Sequence, residues 1–143
     1  MPKITRIKLD DSTNAEYAIL GIVSTEADYK VSQLLNKNLK LSLKNDKTLD
    51  LPGADGSSLS FSRYSCTTGI PEISYHLISN RSDKNWLLKT LKNIDYIFQV
   101  YCSDSKCDIN QLTRTLRGID KITAVFNLNP GDIKDKNLVY LTY

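Results

Sequence analysis

The stretch Ile94–Val100 (IDYIFQV) shows the clearest two-residue periodicity in the chain, with Ile94, Tyr96, Phe98 and Val100 on one side. Successive side chains of a β-strand point to opposite faces of its sheet, so this alternation predicts a strand.

A helix is predicted over Ile109–Arg117, a few residues after this strand. Asp108 with Gln111 matches a capping-box pattern, the inner face carries apolar side chains at helical spacing, and Gly118 predicts a left-handed stop. The apolar run Ile122–Leu128 then predicts a second strand. Together these elements form a strand–helix–strand unit.

A similar unit is predicted nearer the N-terminus. The mostly apolar run Tyr17–Ser24 is typical of a buried strand. A helix over Glu26–Asn38 follows, with Thr25 as its N-cap and apolar residues on one face. Leu39–Leu43 alternates apolar and polar residues and predicts the closing strand.

Further alternating runs separate and follow the two units, at Leu59–Arg63, Ile73–Ile78 and Leu138–Tyr143. The sequence therefore predicts an α+β fold: an antiparallel sheet with two helices on one face, built from ferredoxin-like or regulatory-domain-like strand–helix–strand units. At 143 residues the chain has the length of one domain, predicted to span residues 1–143.

The composition is that of an ordinary globular protein, with 41% hydrophobic and 24% charged residues. The net charge of +3 is dispersed, without the concentrated basic stripe of many nucleic-acid binders. The longest apolar run, Tyr17–Val23, is far shorter than the roughly 20 residues that span a bilayer. With three cysteines, an odd number, a reduced cytoplasmic setting is the simpler interpretation.

Several short strings support a family resemblance, in the order Asp28-Tyr29-Lys30, Leu34-Leu35-Asn36-Lys37, Leu77-Ile78-Ser79-Asn80 and Ile94-Asp95-Tyr96. Together they resemble a Bacteroidetes family named for the motif Ile-Pro-Glu-x-x-x-Val-Asp-Tyr. The resemblance covers the chain from about residue 10 to its end, and it implies the same fold in a bacterial cytoplasm.

The chain departs from that family motif at one place. Leu88-Lys89-Thr90 stands where the motif has Ile-Pro-Glu, while Ile70-Pro71-Glu72 occurs far upstream. If Pro and Glu have a specific task in the family, this chain performs it differently or not at all. The resemblance supplies no catalytic residues.

The candidate catalytic and metal-binding groups are weak. His76 is the one histidine and reads as an ordinary strand residue. Cys102 and Cys107 could form a disulfide or, with Cys66 and His76, hold zinc, but reduced cysteines are preferred. We therefore predict no catalytic, cofactor-binding or metal-binding residues.

Other motifs favour solvent exposure rather than chemistry. The acidic groups Asp10, Asp11 and Glu16, and Asp132 with Asp135, lack metal-loop spacing. The glycines around residues 53–56 lack the lysine of a phosphate-binding loop. Asn80-Arg81-Ser82 matches a glycosylation sequon, which has no meaning without export.

Eight tyrosines stand beside three phenylalanines and one tryptophan. Tyrosine is enriched at interfaces, since it buries a ring while its hydroxyl stays wet, and it equally suits a half-buried sheet face. We take Tyr96, Tyr101, Tyr140 and Tyr143 as candidate interface residues.

Three functions remain open on the sequence. The preferred one is a non-enzymatic cytoplasmic interaction or regulatory module, whose partner is a second copy (a homodimer formed through sheet edges or the tyrosine-bearing face) or another protein. The alternatives are a small-ligand-sensing domain and an RNA-binding protein. The RNA contacts would come from basic helix residues: Lys30, Lys37, Arg114, Arg117 and Lys121.

Overall fold

The computed structural model describes residues 16–52, 56, 58–68, 72–82, 85–102, 108–129, 133–135, 137 and 141. The helices are α1 (Asp28–Leu39) and α2 (Ile109–Arg117), with a 3-10 helix at Lys89–Leu91. The strands are β1 (Glu16–Val23), β2 (Lys44–Asn45), β3 (Leu49–Pro52), β4 (Ser58–Phe61), β5 (Arg63–Thr68), β6 (Ile73–Ser79), β7 (Arg81–Ser82), β8 (Asn85–Trp86), β9 (Tyr96–Cys102) and β10 (Ala124–Leu128).

Six strands form one sheet in the order β10-β1-β9-β6-β5-β2, and every neighbouring pair is antiparallel. Two short hairpins, β3-β4 and β7-β8, lie outside it. The predicted α+β class is confirmed. The strand predicted over Ile94–Val100 is confirmed as β9, which pairs along its length with both β1 and β6.

Both helices cover one face of this sheet, as predicted. Leu20 and Phe98 from the sheet pack there with Leu35 of α1 and Leu116 of α2. The opposite face is also covered: Ile19 and its neighbours pack against Phe61 of β4, the segment before β9, and Leu141. The central strands are therefore buried on both sides.

In the sheet, β9 and β10 lie antiparallel to β1, one on either side of it. The second strand–helix–strand unit, β9–α2–β10, forms where the sequence predicts it. The first unit does not. Leu39–Leu43 was expected to be a strand, but only Lys44–Asn45 pairs with β5. Lys40 adopts a left-handed conformation at φ 57°, and the Asn36 side chain bonds both backbone groups of Leu43. Asn36 thus takes the place of a strand partner.

The helix boundaries show one confirmed cap and two corrections. Asp108 accepts a hydrogen bond from the Gln111 amide and caps α2 as predicted. For α1 the predicted N-cap, Thr25, is wrong: Ala27 holds that position and provides no side-chain cap. Gly118 ends α2, but at φ −85° rather than in the predicted left-handed conformation.

Asn80 organises the segment that leads into β9. Its side chain is fully buried; Nδ2 donates to the Leu91 and Ile94 carbonyls at 3.0 and 2.9 Å, and Oδ1 accepts from Leu88 at 2.7 Å. Its backbone amide also donates to the Asp95 carbonyl. Since Nδ2 is fully engaged, the sequon at Asn80 is not accessible to a glycan in the folded chain.

Cys102 ends β9 and is 1% exposed. It is disulfide-bonded, whereas Cys66 is a free thiol. The interpretation of all three cysteines as reduced is therefore wrong for Cys102. The spacing to Cys107, which lies outside the described residues, suits either state, so sequence alone could not decide between them.

The predicted C-terminal strand, Leu138–Tyr143, lies outside the described residues except for Leu141. Within the described part of the chain, neither helix has the length and apolar character needed to cross a membrane.

Candidate functional site

A cleft of about 430 Å³ opens where β1 and β6 end and β9 begins. We call it the polar cleft, because hydroxyl and charged side chains make up its described lining: Ser24, Thr25, Glu26, Asp28, Thr48, Ser60, Ser62, Ser79, Arg81, Ser82, Asp95 and Tyr96. Its volume lies in the range of small-molecule sites, which are usually more apolar. Its chemistry suits a hydrophilic ligand.

Backbone pairing between β1 and β9 positions Asp95 at the floor of this cleft. The Asp95 amide donates to the Ile22 carbonyl, and the Asp95 carboxylate accepts from the Ser24 amide, both at 2.9 Å. The Ser24 hydroxyl in turn donates to the Lys121 carbonyl at 2.8 Å. The carboxylate is therefore held by backbone groups before any ligand arrives.

Tyr96 lies one residue further along, with its ring buried under α1. Its hydroxyl donates a hydrogen bond to the Glu26 carbonyl. Burial raises the pKa of Tyr96 to about 12, and the negative charges of Asp28 and Asp95 add to the rise. The hydroxyl thus stays protonated at neutral pH in a negative electrostatic environment.

The first turn of α1 forms one wall. Asp28 lines the cleft and accepts a hydrogen bond from the Tyr29 amide at 2.7 Å. A carboxylate at this point is also favoured by the positive end of the helix dipole. The local sequence therefore stabilises a negative charge at the cleft wall.

The turn after β6 supplies the opposite charge. Arg81 lies over the Trp86 ring, 5.4 Å from its centroid, in a cation–π contact. The Ser79 hydroxyl donates to the Arg81 carbonyl at 2.7 Å. The buried Asn80 between them fixes this turn against the segment that carries Asp95.

The hairpin β3-β4 adds two hydroxyls that are oriented by one carboxylate. Asp50 accepts from Thr48 at 2.6 Å and from Ser60 at 2.7 Å. These two hydrogen bonds lower the pKa of Asp50, so it stays ionised at neutral pH. The hydroxyl hydrogens of Thr48 and Ser60 therefore point to Asp50, which leaves their oxygens as acceptors at the cleft.

A second cleft of about 330 Å³ lies at the other end of α1. Leu39 of α1, Leu112 of α2 and Tyr75 of β6 line it, with Asp108 among its polar residues. Tyr75 stacks on Phe98 at a centroid distance of 5.8 Å. Burial raises the pKa of Tyr75. This second cleft is more apolar than the polar cleft.

The structure does not gather the four candidate interface tyrosines into one described surface. Tyr96 is 7% exposed and lines the polar cleft, whereas Tyr101 is 38% exposed on the opposite face of β9. Tyr140 and Tyr143 lie outside the described residues.

The other candidate groups lie away from the polar cleft. His76 lines neither cleft, and burial, followed by the charge of Arg63, lowers its pKa. Asp135 accepts from the Thr90 and Asn137 amides. Asp10, Asp11, Asp132 and Cys107, and the Glu16 side chain, are outside the described part. Residues that are described contain no group of three or more potential metal ligands.

The basic residues considered for RNA binding are all exposed: Lys30, Lys37, Arg114, Arg117 and Lys121. Arg117 is partly engaged, because its guanidinium donates to the Val125 carbonyl of β10 at 2.9 Å.

Sequence reasoning missed the polar cleft as a site. The available signal was that Ser24, Ser62 and Ser79 each stand at or just beyond a strand end. Their convergence depends on strand order, which local patterns do not determine.

Comparisons with known proteins give no identification: no family model, no curated protein and no solved structure matches the chain. We therefore infer the function from the clefts and their residues.

Proposed function

We propose that this chain is a non-enzymatic regulatory module that senses a small hydrophilic ligand in the polar cleft. The observation that carries the proposal is the cleft itself, about 430 Å³ and lined by hydroxyls and charges from several separate segments. Such convergence of polar groups fixes ligand orientation and specificity in small-molecule sites.

The regulatory part of the proposal is supported by topology. The order β10-β1-β9-β6, with both helices on one face, resembles a ferredoxin-like arrangement in which β6 takes the place of the expected Leu39–Leu43 strand.

A thermal-shift screen of polar metabolites (amino acids, amines, sugars and nucleotides) tests the proposal. A ligand at ten times its Kd stabilises the folded chain by about 1.4 kcal/mol, which raises Tm by roughly 5 °C. The shift should vanish in Ser62→Phe, which fills the cleft. It should survive in Ser42→Phe, an exposed site outside both clefts. No stabilisation by any compound, or an equal shift in both variants, would overturn the proposal.

A second candidate is self-association through β10. This strand is last in the described sheet order, and Phe126 on it is 43% exposed. Unpaired strand edges are pairing sites, although Arg117 already occupies the Val125 carbonyl there. Sedimentation at high micromolar concentration should give a dimer that Phe126→Lys reduces to a monomer. A wild-type monomer would remove this candidate.

A further inference from the structure

The hydrogens of the polar-cleft hydroxyls are largely committed to the protein. Five of these hydroxyls donate to a carbonyl or carboxylate: Ser24, Thr48, Ser60, Ser79 and Tyr96. A hydroxyl has one hydrogen and two lone pairs, so each of these oxygens offers a ligand only an acceptor. The cleft is therefore richer in acceptors than its serine content suggests.

The carboxylates add further acceptors. Asp28 and Asp95 each use one interaction with a backbone amide, at 2.7 and 2.9 Å. Within the described chain the second oxygen of each accepts no hydrogen bond. Glu26 adds a third negative charge to the lining, while Arg81 is the one cationic side chain among its described residues.

We propose that the polar cleft binds a small organic ammonium ion, with Asp28 and Asp95 as its counter-ions and the oriented hydroxyls as additional acceptors. An ammonium group carries three donors and no acceptor, which complements this lining. Hydrogen bonds between charged partners are also stronger than neutral ones. The inference rests on the proposed function and specifies the chemical class of its ligand.

Two other observations agree with a cationic group. The negative charges of Asp28 and Asp95 already reach the Tyr96 hydroxyl and help to raise its pKa. An inorganic cation fits less well, because the described residues do not gather three metal-ligating side chains. An ammonium ion needs only a few acceptors around a larger centre.

Four probes of equal carbon length separate the charge types by isothermal titration calorimetry. They are 1,4-diaminobutane, 4-aminobutyrate, 1,4-butanediol and succinate. We expect the two amines to bind and the diol and the dianion to bind at least tenfold more weakly. Equal or tighter binding of butanediol or succinate would overturn the ammonium assignment, as would no binding of either amine at 10 mM.

Charge variants locate the counter-ion. Asp28→Asn should weaken amine binding about tenfold, the loss expected for one charged hydrogen bond. Asp120→Asn, which removes an exposed carboxylate outside the cleft, should leave binding unchanged. Equal losses in both variants would show non-specific charge attraction and contradict the proposal.

The same chemistry could come from a lysine side chain of a protein partner. The peptide acetyl-Gly-Lys-Gly-amide tests this source; binding at least tenfold weaker than that of 1,4-diaminobutane supports a free small molecule, and tighter binding overturns it. If the amines fail but the metabolite screen finds a neutral ligand blocked by Ser62→Phe, the proposed function stands and the ammonium inference alone fails.

Discussion

The first turns of helices α1 and α2 differ in how they are capped and in which cleft they border. At the polar cleft, α1 begins at Ala27 without a side-chain cap, next to carboxylates and hydroxyls. At the second cleft, the Asp108 side chain caps α2 by accepting a hydrogen bond from the Gln111 amide, beside apolar residues. The first turn of α1 therefore lacks the side-chain hydrogen bond that Asp108 supplies to α2. We expect this contrast if the polar cleft binds a ligand and the second cleft is only a boundary between packed elements.

The largest effect is expected from Asn80→Ala, because the Asn80 side chain holds the segment that leads to Asp95 at the polar cleft. The Leu88 amide and the Leu91 and Ile94 carbonyls would lose their buried partner. Each buried unsatisfied group costs about 1–3 kcal/mol, so we expect a loss of roughly 3 kcal/mol or more in unfolding free energy. Urea denaturation measures it.

The control for this change is Asn127→Ala, an exposed position on β10. A loss below about 1 kcal/mol for Asn80→Ala would contradict the role given to this side chain.

Removing the disulfide at Cys102 should lower the free energy of unfolding. With Cys66 free, Cys107 is the remaining cysteine of the sequence. Loss of a native disulfide typically costs about 2 kcal/mol or more, so Cys102→Ser should lower the free energy of unfolding by about that amount. Peptide mapping without reductant should show a Cys102–Cys107 crosslink.

Free thiols at all three cysteines in protein purified without reductant would contradict this.

Capping substitutions sharpen the contrast between the helix starts. Asp108→Ala removes the bond to the Gln111 amide and should cost about 1 kcal/mol. Ala27→Ser adds a cap that α1 lacks and should stabilise by up to about 1 kcal/mol. Thermal denaturation of both variants measures the difference. A gain from Asp108→Ala, or a loss from Ala27→Ser, would contradict the assigned N-caps.

Tyr96 provides the smallest and most specific effect. Its pKa is about 12 in the folded chain and 10.0 for an ordinary tyrosine, so the folded state holds this proton more tightly. Its contribution to stability is therefore complete below pH 10 and declines as pH rises from 10 towards 12.

Tyr96→Phe should remove one late step from the absorbance titration of tyrosinate, and cost about 1 kcal/mol at neutral pH through the lost bond to Glu26. Tyr101→Phe is the control, because Tyr101 is 38% exposed. If the late step is unchanged in Tyr96→Phe, the raised pKa belongs to another tyrosine.

The sequence predicted those parts of the fold that depend on local signals. The alternation around Phe98 predicted β9, and the pairing of Asp108 with Gln111 predicted α2. The predicted Leu39–Leu43 strand is wrong, because the backbone of Leu43 is hydrogen-bonded by the side chain of Asn36 and not by a neighbouring strand. Alternating apolar residues do not show whether the backbone N–H and C=O groups will bond a neighbouring strand or a side chain.

The polar cleft was beyond local prediction for a related reason. Asp28, Arg81 and Asp95 come from distant segments, and they meet only because β1, β9 and β6 are neighbours in the sheet. The sequence around Asn80 matches a sequon. Nothing in that sequence indicates that the Asn80 side chain is buried and hydrogen-bonded. Strand order, not composition, makes the site.

A two-dimensional NMR titration of ¹⁵N-labelled protein with polar metabolites, including 1,4-diaminobutane, tests directly whether the polar cleft binds a ligand. We expect saturable shifts of the amides at residues 24–28, 79–82 and 95–96. Shifts confined to residues 109–115 at the second cleft, or no saturable shifts at all, would contradict this expectation.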